Sequence, residues 1–287
     1  MALSDLLVYV DHTSEAILRL RLAVDLASRH GSHVTALFVR ERTDSQLVER
    51  KRAELGLASG AEVEQLDRRM AASTEQSASE LKLTLDALGL EHGVDTEWRF
   101  ADGPASIAVV QHARYVDLCL VGHYRARDDD VEGYTFTEKL LFSSGGPVLS
   151  IPSHGRFTSL GRHIAIAWNS SRAASRALND ALPLIERAKR ITVITVNSDA
   201  YIGLHGGLPA EQLVEHLSRH NPVTKLVELT GIPTEAIAER LQAKALDLGA
   251  DLLVAGAFGH PRLLERLLGG VTRELLDHMQ LPVLMSN

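Results

Sequence analysis

The chain has 287 residues, enough for about two domains at ordinary domain size. Its 45% hydrophobic and 23% charged residues, with a mean hydropathy of −0.01, mark a globular chain and exclude a disordered, collagenous or disulfide-scaffold one. The formal charge of −7 gives no basis for general nucleic-acid or anionic-membrane affinity, and Cys119, the single cysteine, leaves no intrachain disulfide. The charge is unevenly spread: residues 1–152 carry 16 basic and 24 acidic side chains, for −8, and residues 153–287 carry 14 and 13, for +1.

In chain order, Met-Ala-Leu-Ser-Asp lacks the basic-then-apolar pattern of a signal peptide. No uncharged stretch approaches the 18 or so residues needed to span a bilayer. A soluble cytoplasmic protein with no membrane partner is therefore the expectation. Leu6–Val10 reads as a strand ending in the capping cluster Asp11-His12-Thr13-Ser14. Ala16, Ile17, Leu20, Ala23, Val24 and Ala27 then fall on one helical stripe. The run Val34–Val39 predicts a second strand. Residues 41–92 are long and charged, a polar insertion followed by an extended amphipathic helix at about 60–92. A short strand at 94–100, a helix from Pro104 and the apolar runs Val116–Gly122 and Pro147–Ile151 complete the first half. Cys119, set among Leu118, Leu120 and Val121, reads as a buried small hydrophobe.

A polar linker, Ser153–Gly161, follows, and then the pattern repeats. His163–Trp168 leads to Asn169-Ser170-Ser171. Ala173, Ala174, Ala177, Leu178, Ala181, Leu182 and Ile185 form a helical stripe, and Ile191–Val196 is apolar throughout. A flexible Gly203–Gly207 precedes a helix at 209–220, a strand at 222–228 and a helix near Pro233. The runs Ala250–Gly256 and Pro282–Ser286 answer Val116–Gly122 and Pro147–Ile151. Continuous apolar strands between helices predict parallel pairing with both faces covered. The expected architecture is α/β and Rossmann-like: two repeated, open-twisted, parallel five-stranded sheet domains with helices on both faces, spanning 1–152 and 153–287.

The chemistry is concentrated in one segment, Gly256-Ala-Phe-Gly259-His-Pro-Arg262-Leu-Leu-Glu265-Arg266-Leu-Leu-Gly269-Gly270-Val271-Thr272. Gly256 ends a predicted parallel strand, and a helix is expected from about Gly270. Ligands of open α/β sheets bind outside the carboxyl ends of the strands. Glycines there let the backbone approach a ligand, and the N–H groups of the next helix start favour phosphate oxygens. Thr272 adds a hydroxyl, and Arg262, Arg266 and Arg273 add positive charge.

This spacing resembles the nucleotide-binding signature of the universal stress protein family, Gly-x2-Gly-x9-Gly-Ser/Thr followed by a hydrophobic residue and Ser/Thr. Gly256, Gly259, Gly269, Val271 and Thr272 match it; Gly270 stands where the family usually has Ser or Thr, which removes one side-chain bond to phosphate and leaves the backbone donor. The chain resembles a tandem member of the family over nearly its whole length. In the family an Asp ending the first strand sits beside the nucleoside and a Val ending the second lines the adenine pocket. The matching positions are Asn169, which lacks the carboxylate charge, and Val196.

The first half has Gly122 and Thr137 at equivalent places, but Arg125 and Tyr134 replace two glycines. Asp128, Asp129, Asp130 and Glu132 crowd the loop, and each like-charge contact at partial burial costs on the order of a kcal/mol or more. This half keeps Asp11 but is expected to bind a triphosphate poorly.

Other features read more simply. Asp11 and Asn169 are at minimum helix caps, and the acidic run is a solvated loop. His216 and His220 are spaced to share a metal, but a surface coincidence is the favoured reading. Trp168 is core packing, with stacking on a base as the lesser reading. His123 and His260 flank the two loops. No phosphate-binding Gly-x4-Gly-Lys-Ser/Thr loop, dinucleotide fingerprint, nucleophile elbow or basic aromatic stripe is present.

The resemblance thus implies a cytoplasmic stress-response protein that binds an adenine nucleotide, ATP first, in its second domain, with a regulatory rather than fast catalytic role. No metal is predicted, although Mg²⁺ can accompany ATP. No nucleic acid partner is expected. The two domains are expected to form an intrachain pseudo-dimer through Pro147–Ile151 and Pro282–Ser286, and a homo-oligomer stays open. The alternatives are a scaffold that acts through protein contacts without nucleotide, and a slow nucleotide hydrolase.

Overall fold

The computed structural model describes residues 2–40, 60–123, 136–197, 210–258 and 270–287, with the side chains of 60–71 outside that description. The first half runs β1 (Asp5–Val10), α1 (Glu15–His30), β2 (His33–Arg40), α2 (Gly60–His92), β3 (Thr96–Asp102), α3 (Ala105–Ala113), β4 (Leu118–Gly122), α4 (Phe136–Ser143) and β5 (Val148–Ile151). The second runs β6 (His163–Trp168), α5 (Arg172–Asp180), α6 (Leu182–Arg187), β7 (Arg190–Val196), α7 (Ala210–Ser218) and β8 (Thr224–Leu229). A 3₁₀ turn, Thr234–Ala236, then leads into α8 (Ile237–Asp247), β9 (Leu252–Gly256), α9 (Gly270–Asp277) and β10 (Val283–Ser286).

Both halves have the same strand order. It runs β3-β2-β1-β4-β5 in the first and β8-β7-β6-β9-β10 in the second, with parallel pairing throughout each. The two sheets do not remain separate. β10 pairs antiparallel with β5, Val283 opposite Ser150 and Met285 opposite Val148, and the result is one sheet of ten strands. All four residues of each joining strand are buried.

Side chains alternate across this sheet, so each face carries its own core. Leu6, Val8, Phe38, Leu120, Ile166, Val193, Val254 and Leu284 belong to one, under α1, α2, α5, α6 and α7. Leu7, Tyr9, Leu37, Val121, Ile194, Leu253 and Met285 belong to the other, under α3, α4, α8 and α9. Each core draws on both halves and is continuous across the β5–β10 junction. The outer strands are different in kind: β3 and β8 are only partly buried and carry Glu97, Arg99, Lys225 and Glu228.

The repeated Asp of the two strand motifs has a structural role that explains its recurrence. Asp117 accepts hydrogen bonds from the N–H groups of Ser4 and Asp5 at 2.7 and 3.0 Å. Asp251 does the same for Arg162 and His163, at 3.0 Å each. In both halves the carboxylate satisfies backbone donors that the start of a strand leaves without a partner.

Three expectations change in detail. Ile17 lies on the exposed side of α1, whereas Leu22 and Leu26 are buried, because α2 covers α1 and widens its apolar arc. The stripe over 173–185 is two helices, not one. Pro183 has no N–H to give to Asn179, and the chain restarts as α6 after Ala181. Ser171, rather than Asn169, caps α5, its hydroxyl oxygen accepting the Ala174 N–H at 3.1 Å. The insertion within 41–59, the acidic run Asp128–Glu132 and Gly203–Gly207 lie outside the described residues.

The end of the linker is packed. Leu160 is buried, its carbonyl accepts from Arg29 Nη2 at 2.6 Å, and Ser159 donates to Asp251 at 3.2 Å. Arg187 of α6 donates to the Arg29 carbonyl, bringing a second guanidinium beside His30 at the end of α1. Burial, with the guanidinium groups of Arg187 and Arg29, pushes His30 down to about 4. An unfolded histidine titrates near 6.5, so between these values the unfolded chain binds the extra proton. The stabilisation is complete above about pH 6.5 and is lost as the pH falls toward 4. Replacing His30 by Gln should therefore flatten the stability profile between pH 6.5 and 4 in urea titrations; an unchanged slope would contradict this account.

Candidate functional site

A cleft of about 530 Å³ opens at the carboxyl ends of β6, β7 and β9 in the second half. This is the point where strand order reverses, with β6 flanked by β7 on one side and β9 on the other. Its apolar wall is Ala167 and Trp168 from β6, Ile194 and Val196 from β7, Ala255 from β9, and Ile237, Ala238 and Leu241 from α8. Its polar rim is Asn169, Ser171, Thr234, Glu235, Thr272 and Glu274. Gly256 and the first turn of α9, Gly270 and Val271, complete it.

Six of the residues singled out in the sequence therefore meet around one cavity: Asn169, Val196, Gly256, Gly270, Val271 and Thr272. Gly259 and Gly269 lie outside the described residues, as do Arg262, Arg266 and His260. Arg273 is exposed on α9 and is not among the residues lining the cleft.

Each described member is held by specific local structure. Asn169 follows β6 and uses its side-chain oxygen to accept the Ser171 N–H at 3.1 Å, an Asx turn that folds the chain into α5. Thr272 is buried in the first turn of α9, and its hydroxyl oxygen accepts the Phe258 N–H at 3.2 Å. That bond ties the exit of β9 to the start of α9, across the glycine segment. The hydroxyl hydrogen can still be donated.

Gly256 is needed for a reason beyond ligand approach. A Cβ there would lie 2.3 Å from the Ala174 nitrogen and 2.5 Å from the Ala173 carbonyl carbon, both backbone atoms of α5. The glycine lets α5 sit directly on the end of β9. At the equivalent Gly122, an added Cβ would instead meet the Arg19 side chain, at 2.4 Å from Nη1.

Sequence reasoning missed several contributors. Asn197, just beyond β7, exchanges hydrogen bonds with Ile232, donating to its carbonyl at 2.7 Å and accepting its N–H at 3.1 Å. This fixes the approach to α8, whose first turns form the far wall. Three non-glycine residues among those described have positive φ: Ser170 (59°), Asn197 (48°) and Phe258 (55°). All three stand at the carboxyl exits of the strands that line the cleft. Such strained backbone persists only where surrounding structure over-determines it, and it clusters at binding sites. The Asn-Ser and Val-Asn strand endings carry a weak signal of these turns; the turn at Phe258 carries none.

The first half is built differently at the same level. Arg19 lies on the buried stripe of α1, donates from Nε to the Tyr9 carbonyl at 3.1 Å and pairs with Asp11 at 2.8 Å. Burial works to raise the Asp11 carboxyl, but the Arg19 guanidinium and the Thr13 hydroxyl and N–H hold it below its ordinary value. A guanidinium thus lies between the ends of β1 and β4, whereas at the end of β9 the backbone of Ala173 and Ala174 stands beside Gly256. The signal was available, since Arg19 interrupts an otherwise apolar stripe.

His216 on α7 and His220 in the turn that follows stand edge to face, 5.1 Å between ring centroids, and no group of three metal-ligating residues occurs among those described. Burial pushes the Cys119 thiol up, as expected for a buried small hydrophobe. No helix among the described residues is long and apolar enough to cross a membrane.

Residues 161–287 match the model of the Universal stress protein family. This half of the chain belongs to that family. No curated protein matches the chain. Among solved structures, a universal stress protein from Archaeoglobus fulgidus aligns over 100% of this chain and 97% of its own, with a TM-score of 0.72 and 17% identity. A protein of unknown function from Pseudomonas aeruginosa aligns over 99% and 92%, with a TM-score of 0.61 and 17% identity. At such identity the likeness is one of fold. It extends over both halves, so the Rossmann-like architecture of the whole chain is shared with these proteins, beyond the segment that the family model matches.

Gly256 is the sharpest local test of the geometry. Replacing it by Ala forces two backbone segments apart and should cost about 1–3 kcal/mol. Gly122→Ala displaces only a side chain and should cost less. Urea denaturation of the two variants compares them, and the reverse order would contradict the packing described.

Proposed function

We propose that the second half binds an adenine nucleotide, ATP first, in the cleft at the ends of β6, β7 and β9. The single observation that carries this reading is the convergence of Asn169, Val196, Gly256, Gly270, Val271 and Thr272 on one cavity at the switch point of the sheet. An adenine ring suits the apolar wall of Ile194, Val196, Ile237 and Leu241. Asn169, with one acceptor and one donor group, suits ribose hydroxyls. The N–H groups at the start of α9 have no partner within the helix and carry the positive end of its dipole, which suits phosphate. The cavity volume lies in the ordinary range for small-molecule sites.

The role is regulatory rather than catalytic, within a soluble cytoplasmic stress-response protein. The described lining holds carboxylates and hydroxyls but no histidine, cysteine or lysine. The first half acts as a structural partner. Its Asp11 is committed to Arg19, and its loop carries the four carboxylates noted above.

One observation favours a second reading, a scaffold without nucleotide. Glu235 and Glu274 are exposed at the rim, Glu274 3.7 Å from His278 Nε2, and carboxylates so placed oppose a triphosphate. A divalent cation accompanying ATP would offset them, so the two readings separate in a Mg²⁺ titration. Isothermal titration of the whole chain with ATP and Mg²⁺ should give saturable binding, and Gly270→Asp, at an exposed position with open space for a side chain, should weaken it at least tenfold while leaving the melting temperature of the free protein unchanged. An acid in the first turn favours the helix but repels phosphate. No ATP binding by the wild type, or equal binding by the variant, overturns the nucleotide reading in favour of the scaffold.

A further inference from the structure

The cleft belongs to the second half, yet one of its hinge points is braced from the first. The Phe258 ring stacks on the Phe142 ring of α4, with 4.2 Å between centroids and 23° between planes. Phe258 is the residue where the chain leaves β9 through a left-handed turn, at φ 55°, before the glycine segment. Its N–H is the donor to Thr272 Oγ1 at 3.2 Å. The ring contact, the strained backbone and the bond to the cleft residue Thr272 therefore meet at one residue.

A left-handed conformation is unfavourable for a side chain as bulky as phenylalanine and needs support from its surroundings. Phe258 packs against the core under α3, α4, α8 and α9, and the stacked ring of Phe142 supplies a defined orientation as well as area. The contact is one-sided. With Thr137 opposite Thr272, the second-half counterpart of Phe142 is Asp277, which has no ring to return to the first half.

We propose that Phe142 is a positioning residue for the second half's cleft: through Phe258 it fixes the strand exit and the Thr272 hydroxyl, so the first half sets the nucleotide affinity of the second. Its consequence for binding rests on the nucleotide reading given above; the positioning itself is measured without ligand. The substitutions are Phe142→Leu, which keeps apolar bulk and removes the ring, and Phe142→Tyr, which keeps the ring. In the ligand-free whole chain, amide hydrogen exchange at Phe258 should speed up severalfold in Phe142→Leu, with exchange in β6 and β7 unchanged, and Phe142→Tyr should match the wild type. Titration with ATP and Mg²⁺ should then show a Kd about three- to tenfold weaker for Phe142→Leu and restored in Phe142→Tyr, the range expected for losing one aromatic pair.

Unchanged exchange at Phe258 overturns the proposal whatever the nucleotide does. Faster exchange with an unchanged Kd also overturns it, because the brace would then be without effect on the site. Faster exchange in a protein whose wild type binds no ATP supports the positioning and removes the nucleotide reading instead. A general loss of protection across β6 and β7 in Phe142→Leu would identify a core defect and count against a local brace.

Discussion

The antiparallel register of β5 and β10 is the constraint on which the rest of the molecule depends. Both strands are four residues long and fully buried, and each is the last strand of its half. Alone, either would be an apolar edge with unpaired backbone groups, an arrangement that proteins avoid. Pairing them removes both edges at once. It also carries the two side-chain layers across the junction, so that neither half has a core of its own on either face. Stability, the relative placement of the halves and the meeting of α4 with the exit of β9 all follow from that one register.

Most of the fold was legible in the residues because buried parallel strands write themselves as unbroken apolar runs. Leu6–Val10, Val34–Val39, Val116–Gly122 and their second-half counterparts all became strands, and the helix starts near Pro104 and Gly270 stand where the sequence places them. What periodicity leaves open is orientation within a stripe. It lists apolar positions, so Arg19, a charged residue turned inward on α1, is legible only as the interruption of an apolar stripe. It also assumes that one stripe is one helix, which Pro183 disproves. Partners distant in sequence are equally invisible: nothing local to Asn197 announces Ile232, and nothing local to Phe142 announces Phe258.

The cleft divides along the same line. Residues belonging to a spaced motif were legible, and the described ones gather as the spacing implies. The wall supplied by α8 was not, because Ile237, Ala238 and Leu241 read as ordinary core positions until topology brings their helix beside β7. The two halves also show how one scaffold diverges while its strand order is kept. Arg19 fills the space between the ends of β1 and β4, and Asn169 stays at the rim where Asp11 is drawn into an ion pair. The backbone plan is the same, and the difference lies in which side chain occupies the crevice.

The partly buried strands β3 and β8 have a consequence for the company this protein keeps. Joining two sheets end to end is a rule that could be applied again, and a chain built by it could keep adding copies into a ribbon. Glu97 and Arg99 at one margin, and Lys225 and Glu228 at the other, put charge where a third sheet would have to dock. Extension is thereby discouraged at both ends. The described sheet thus ends in charged borders at β3 and β8, in contrast to the apolar strands paired at its centre.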